Sequence, residues 1–367
     1  MATLSRPEAR RAGTLHVVDR LSEPVLSVLA PALQALADAG WAQTVVLLDR
    51  PAHAEGVRRL DGAASVVCVP TAGREPWRHW AALRRAVQEQ LAARPPAAVH
   101  FHGVGAWLCS LGLEGRPAKA FVTPHGAGLA RVVGLLQRLP RAGADLPLAV
   151  ASSQFDTRVM QHASQPPPLV VEGVVEERYL RVARREAELP LVVAGAHRAS
   201  TAAAGWACQL AIVFGARELG LRFHWCGPGA PELAVAGFTL GTGDPVRHLR
   251  RAWVYVATDD QADFPVRLAQ AMACGVPCLA LDVPAHRGLI VDGSSGMLFR
   301  TAEEAAQMLT ALLDDADLRQ RLGDAARRVA RRRFTVQRLR RDLLSLYARD
   351  ATEPALRTRG TVHDSGF

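Results

Sequence analysis

Lysine is almost absent: Lys119 is the only one among 44 basic residues in a chain of 367, and all the others are arginine. A bias this complete points to a GC-rich genome before it points to any recognition role. Aromatic residues are also scarce, at 5%. A nucleic-acid docking face interleaves basic and aromatic side chains, so a net charge of +9 argues for no such partner here. No helix-turn-helix, zinc-finger or RNA-binding signature occurs either. The six cysteines (Cys68, Cys109, Cys208, Cys226, Cys274 and Cys278) show no paired spacing, and four lie in apolar runs such as Val66-Val67-Cys68-Val69. That pattern predicts reduced thiols, with neither a disulfide framework nor structural zinc. No stretch approaches the ~20 uninterrupted apolar residues of a membrane span. Met1 to Arg11 lacks the apolar region of a signal peptide. A cytoplasmic protein is expected.

Hydrophobic residues make up 49% and charged residues 22%, the balance of a folded chain. At ~150 residues per domain the length predicts two domains, each large enough for its own core. Apolar strands alternate with helical periodicities twice over. Leu15–Val18, Thr44–Leu48, Ser65–Val69, Ala97–Phe101, Ala120–Thr123 and Leu148–Ala151 form the first series. Leu191–Ala194, Arg222–Cys226, Trp253–Ala257, Pro277–Leu281 and Gly296–Phe299 form the second. Continuous apolar strands between helices mean parallel sheets covered on both faces. Pro166-Pro167-Pro168 and the charged stretch Glu176 to Pro190 read as the linker. The fold class expected is α/β, two Rossmann-like domains facing each other across a cleft, residues 1–175 and 176–367. Ligands then lie outside the carboxyl ends of the strands.

Charge is concentrated. Arg319 to Arg349 holds eleven arginines against Asp324 and Asp342, so this one segment carries the whole net charge. Its apolar positions, Leu322, Val329, Val336, Leu339, Leu343 and Leu346, recur at helical spacing. A basic amphipathic surface of this kind suits an anionic membrane, at about 1 kcal/mol per basic residue close to the lipid.

The stretch Ala262-Asp263-Phe264-Pro265-Val266-Arg267-Leu268-Ala269-Gln270-Ala271-Met272-Ala273-Cys274-Gly275-Val276-Pro277 resembles the donor-site segment of group 1 (family 4) glycosyltransferases, E-G-F-G-L-P-L-x-E-A-M-A-C-G-x-P. The match runs on into Ala280-Leu281-Asp282-Val283 and Val291-Asp292-Gly293-Ser294-Ser295-Gly296-Met297-Leu298. Arg333-Phe334-Thr335 to Leu346-Tyr347 is similar to the family's closing helix, which implies that the last helix (about 335–349) packs back on the N-terminal domain. Val99-His100-Phe101-His102-Gly103 and Thr123-Pro124-His125-Gly126 stand at the expected places of the N-terminal half. The resemblance covers essentially the whole chain and implies the GT-B fold.

What the resemblance implies about chemistry is a retaining, metal-independent transfer of a hexose from a nucleotide sugar to a glycan or lipid-linked acceptor. It also implies a bacterial polysaccharide pathway and a cytoplasmic site of action, peripheral to the inner face of the membrane. No resident cofactor is expected. No Asp-x-Asp pair occurs in a suitable loop, and Asp259-Asp260 is adjacent instead of spaced. By the same resemblance His125 contacts the reacting sugar or the acceptor. Arg198 stands for the family's phosphate-binding arginine on the loop after the first C-terminal strand. Phe264, Val266, Arg267 and Gln270 fall on the donor segment, with Gln270 on the ribose hydroxyls through its amide. Asp263 lies beside the lost sugar-binding carboxylate. Asp19, Arg20 and His102, at strand ends of the first domain, are the acceptor-side candidates.

Departures gather on the donor side. The family's two glutamates are Ala262 and Gln270 here, its motif glycine is Pro265, which has no N–H, and Thr201 to Cys208 contains no basic residue where a lysine belongs. Leu21-Ser22-Glu23-Pro24 replaces the glycine-rich turn, and Val171-Glu172-Gly173-Val174-Val175 replaces the hinge motif P-N-G-V-D. Arg267, in the first turn of its helix, is placed to substitute for the lysine. The alternative is a catalytically inactive homologue that binds a partner enzyme or a glycan. A phosphorylase or epimerase on the same fold is a weaker third reading.

Overall fold

Two parallel sheets carry the strand-helix alternation in the computed structural model, which describes residues 13–71, 75–110, 113–114, 119–125, 148–151, 169–195, 201–215, 221–226, 238–241, 244–259 and 264–348. The first sheet contains β1 (Thr14–Val18), β2 (Gln43–Asp49), β3 (Ser65–Pro70), β4 (Ala98–His102), β5 (Ala120–Thr123), β6 (Leu148–Ala151) and β7 (Leu169–Val170). Their order is β3-β2-β1-β4-β5-β6-β7. The second contains β8 (Leu191–Gly195), β9 (Arg222–Cys226), β10 (Phe238–Gly241), β11 (Val254–Ala257), β12 (Cys278–Leu281) and β13 (Met297–Phe299), in the order β10-β9-β8-β11-β12-β13. Every pairing between named strands is parallel. In each sheet the winding reverses beside the first strand, between β1 and β4 and between β8 and β11. In doubly wound sheets ligands bind at the carboxyl edge of that switch point.

The helices are α1 (Glu23–Ala37), α2 (Ala54–Arg58), α3 (Pro76–Ala93), α4 (Val104–Leu108), α5 (Glu177–Arg181), α6 (Thr201–Gly215), α7 (Pro245–Leu249), α8 (Val266–Cys274), α9 (Pro284–Arg287), α10 (Ala302–Asp314), α11 (Ala316–Arg333) and α12 (Val336–Ala348). β1 and β4 are buried along their whole lengths, which is why they read as uninterrupted apolar runs with only histidine and threonine as exceptions. α8 is buried from Leu268 to Cys274 and stops at Gly275, whose φ of 76° only glycine adopts freely. α1 runs through Pro31 without ending there. Several short elements, β7 among them, fall where the sequence suggested none. α5 forms inside the expected linker because Tyr179 and Leu180 are buried there. β10 is a four-residue edge strand, too short for its alternation to stand out.

Two crossings join the sheets. The first, residues 171–176, leaves β7 and enters α5. The second is the junction of α11 and α12 at Phe334, whose carbonyl accepts from the Val175 amide at 2.9 Å. α12 then lies against the first sheet, where Leu339, Leu343, Leu346 and Tyr347 share a core with Ala32, Leu36, Ala98 and Phe121.

The arginine-rich segment is largely spent on holding this arrangement. Arg319 is buried, pairs with Glu186 and donates to the carbonyls of Leu312 and Leu313. Arg327 and Arg331 donate to carbonyls of Leu180 and Val182. Arg333 pairs with Glu172, and Arg338 donates to the carbonyls of Glu172 and Gly173 at 2.8 and 2.9 Å. Arg340 reaches the Ala35 carbonyl of α1. A carbonyl at a chain crossing needs a donor that arrives from outside its own element, and arginine supplies several from one planar head. Arg321, Arg328 and Arg332 remain exposed. No helix among the described residues is long and apolar enough to cross a membrane.

Candidate functional site

Four histidines converge at the switch point of the first sheet. Parallel register sets His16 beside His100 and Val18 beside His102. With the two-residue period of a strand, all three imidazoles then emerge on one face. Their rings stack, with centroids of His100 and His102 4.3 Å apart and of His16 and His102 5.4 Å apart. His125 joins from the loop after β5. Its φ of 53° makes it the only left-handed residue other than glycine among the described ones. A non-glycine residue there costs ~1–2 kcal/mol, and such strain is retained where the surrounding structure imposes it. The ring lies over His102, centroids 5.3 Å apart.

Hydrogen bonds thread these rings. His16 Nδ1 lies 3.1 Å from His102 Nε2, and His102 Nδ1 lies 3.0 Å from His125 Nε2. His100 stands to one side, its Nδ1 on the Tyr347 hydroxyl at 2.7 Å and its Nε2 on Thr123 Oγ1 at 2.8 Å. Burial lowers the pKa of every ring. It pushes His16 down to about 3 and His125 to about 4, and holds His100 and His102 well below the ordinary imidazole value. All four are therefore neutral near pH 7, each with one N–H and one lone pair.

His16, His100 and His102 also bring one ring nitrogen each within 4.8 Å of the others, the spacing of a metal site. Five of their six nitrogens already have hydrogen-bond partners, leaving only His16 Nε2 without one. No carboxylate or thiolate among the described residues completes the group. With those nitrogens engaged by protein groups, the three lone pairs that a metal would need are not free together.

Asp19 occupies the carboxyl end of β1. Its Oδ2 accepts the Gly105 amide at 3.1 Å, at the start of α4. Burial raises its carboxyl pKa against these bonds and the charge of Arg20. A Cβ at Gly103 would fall 2.5 Å from Asp19 Oδ1, and one at Gly105 2.3 Å from Oδ2, so only glycine admits the carboxylate here. Arg20 is exposed beside it.

On the second sheet, α8 brings the donor-segment residues together. Arg267 Nη1 donates to Gln270 Oε1 at 3.1 Å, while Arg267 Nε is buried without a partner. α8 follows β11 and returns the chain to the start of the parallel strand β12, so its first turn, with Arg267, lies at the carboxyl side of the sheet. The Val266 amide is bonded to the Phe264 carbonyl at 2.8 Å. The Phe264 ring is committed to packing. It meets Phe334 edge-on, centroids 5.4 Å apart, and lies under Gly173 of the first crossing. Arg198, Asp263 and Gly126 lie outside the described residues. Asp259 is buried after β11, and Asp260 is outside.

The sequence reading set His100 and His102 in one motif, Val99 to Gly103, and the structure stacks the two rings on one face of β4. It missed His16, Thr123 and Tyr347 as members of the same cluster. A histidine two residues before the end of an otherwise apolar buried strand was the available signal for His16.

Residues 232–329 match the family model described as glycosyl transferases group 1. No curated protein matches the chain by sequence. Among solved structures, a glycosyltransferase from Rickettsia africae superposes with a TM-score of 0.74 at 13% identity, over 92% of this chain and 98% of that one. The Anabaena protein HepE, crystallised with UDP and glucose, gives 0.70 at 15%, over 92% and 99%. A sucrose-phosphate synthase from Thermosynechococcus elongatus gives 0.69 at 15%, over 92% and 98%. At such identities the superpositions establish the fold: two Rossmann-like domains in the arrangement of GT-B glycosyltransferases. Together with the matched segment, they uphold the resemblance to group 1 glycosyltransferases.

Proposed function

We propose that this protein is a glycosyltransferase that moves a hexose from a nucleotide sugar to a glycan or lipid-linked acceptor with retention of configuration. The observation that carries this reading is the group 1 segment itself, residues 232–329. It overlaps α8, whose first turn leaves the carboxyl side of the second sheet and whose Arg267 donates to Gln270.

In this reading residues 1–175 form the acceptor side and 176–367 the nucleotide-sugar side, with the last helix returned to the first sheet. The departing diphosphate is held by Arg198, by Arg267 in place of the missing lysine, and by the first turn of α8, where the helix dipole favours an anion. Positive groups fixed at that point stabilise the charge that develops on the leaving group, the effect that lowers the barrier most in such sites. Gln270 offers its amide to the ribose hydroxyls. Phe264 and Val266 contribute backbone and shape, since the Phe264 ring is occupied against Gly173 and Phe334. Asp263 stands nearest the transferred sugar. His125 accepts a hydrogen bond from a sugar hydroxyl, with His102 behind it and Asp19 and Arg20 on the acceptor side.

The reaction needs no metal on this account, because arginines supply the positive charge. Exposed arginines of α11, Arg321, Arg328 and Arg332 among them, are the groups that would meet an anionic membrane surface. HepE was crystallised with UDP and with glucose, which makes UDP-glucose the first donor to try.

A second reading, an inactive homologue that binds a partner enzyme or a glycan, is favoured by one feature. The Val266 amide is bonded to Phe264 and is not free for a ligand. Incubation with a panel of nucleotide sugars in EDTA separates the two. Release of nucleoside diphosphate supports the transferase. No release from any donor, with or without manganese, supports the binding protein. Release that appears only after manganese is restored contradicts the metal-independent mechanism.

A further inference from the structure

Two departures from the group 1 motif touch each other. The motif has proline where this chain has Arg267, and glutamate where it has Gln270. Both residues lie in α8, three positions apart, the spacing that makes helix side chains neighbours. Arg267 Nη1 donates to Gln270 Oε1 at 3.1 Å. A guanidinium carries five N–H donors and no acceptor, so the amide atom that faces it is the oxygen. The orientation of Gln270 is thereby fixed. Its NH₂ group is what remains for a ligand.

The charge balance points the same way. Gln270 is buried and Arg267 half-buried, with its Nε enclosed and without a partner. No carboxylate pairs with Arg267 among the described residues, and a neutral amide is the one hydrogen-bond acceptor it has there. By contrast, Arg319 and Arg184 share Glu186, and Arg338 pairs with Asp342. A cation drawn out of water without a counter-charge is costly, and a site that keeps one suits an anion that arrives later. Glutamate at position 270 would end that state. A carboxylate within reach of a guanidinium forms a short, often bidentate pair, which would occupy two donors and cancel the charge. An amide in the same place directs the side chain and leaves its charge intact.

We propose that Gln270 is a positioning residue for Arg267: its amide oxygen holds the guanidinium at the first turn of α8, and its neutrality keeps that positive charge available to a diphosphate. This rests on the nucleotide-sugar reading of the second sheet. The ribose hydroxyls then meet an NH₂ donor and serve as acceptors there. The replacements of proline and glutamate in the motif become one joint change instead of two losses.

Restoring the motif glutamate tests this, because a ribose ligand and a positioning residue respond to it with opposite signs. A residue that only met the ribose would serve as well or better as glutamate, whose oxygens accept from both hydroxyls. Calorimetric titration of the full chain uses whichever of UDP, GDP and ADP the wild-type protein binds tightest. Gln270→Met, neutral and of similar length, should weaken binding about fivefold, and Gln270→Glu about tenfold or more, the scale of a charged contact. In Arg267→Ala the further change Gln270→Glu should cost little, since no guanidinium remains to be neutralised. Gln270→Glu at wild-type affinity or tighter overturns the proposal. So does an equal loss in Arg267→Ala, which would mean that the carboxylate repels the diphosphate directly. If Gln270→Glu does not fold, Gln270→Met takes its place in the same cycle, and losses that simply add to those of Arg267→Ala overturn the proposal. The expected order of affinities in a protein that releases no nucleotide from any sugar donor refutes the transferase and leaves this proposal standing. An active enzyme in which Gln270→Glu binds as tightly as the wild type does the reverse. A wild-type protein that binds none of the three nucleotides overturns both.

Discussion

The Tyr347 hydroxyl lies 2.7 Å from Nδ1 of His100, although the two residues are 247 positions apart. Both are buried, and the contact ties α12 to the middle of the first sheet. Tyr347→Phe keeps the ring and its packing but leaves a buried imidazole nitrogen without a partner. That change should cost ~1–3 kcal/mol. Urea unfolding of the variant checks it, and a loss below ~0.5 kcal/mol would mean that the hydroxyl is dispensable.

Gly173 and Phe264 form a similar join at the other crossing. A Cβ on residue 173 would fall 2.4 Å from Phe264 Cδ1, with Cγ and Cε1 nearly as close. The ring is wedged against Phe334 and has little freedom to retreat. Gly173→Ala should therefore destabilise the protein by ~1–3 kcal/mol, the range for an overpacked site. Adding Phe264→Leu should return part of that loss. A double-mutant cycle on thermal stability measures the coupling, and purely additive effects would refute the contact.

Much of the fold was legible because its strands are buried on both faces. Runs such as Val45 to Leu48 and Leu279 to Leu281 cannot be surface elements, and their alternation with helices leaves few topologies. The site was legible only in part. His100 and His102 share one strand, so a period of two places them together. His16 reaches them only through the register of β1 on β4, which no single segment displays. The arginines of α11 and α12 posed the opposite difficulty. Composition reads Arg319 and Arg338 as surface charge, whereas Arg319 pairs with Glu186 in the interior and Arg338 binds the carbonyls of the first crossing. Phe264 shows a third limit, because a residue within the family-matched segment is spent on packing against Gly173 and Phe334 where the sheets are joined.

Acid should destabilise this protein early. His16 and His125 titrate at about 3 and about 4 in the fold, and His100 and His102 lie well below the ordinary value. In the unfolded chain all four take up protons near pH 6.5. Between those limits the unfolded state binds more protons, so stability falls as pH falls. Each ring subtracts ~1.4 kcal/mol per pH unit within its window. Asp19 opposes the trend, since its carboxyl pKa is raised by burial. Unfolding free energy should be level above about pH 7 and drop steeply from about pH 6 toward 4. A profile flat down to pH 4 would contradict neutral, enclosed histidines.

If the second sheet holds a nucleoside diphosphate, as proposed, calorimetric titration with UDP, GDP and ADP will detect it. The wild-type protein is expected to bind one of them. Arg267→Ala and Arg198→Ala should each weaken that binding by ~1.5–3 kcal/mol, the scale of a charged hydrogen bond, and Gln270→Ala by ~1 kcal/mol. Binding left unchanged by Arg267→Ala and Arg198→Ala would move the phosphate site elsewhere in the domain. No heat from any of the three nucleotides at millimolar concentration would contradict the claim itself.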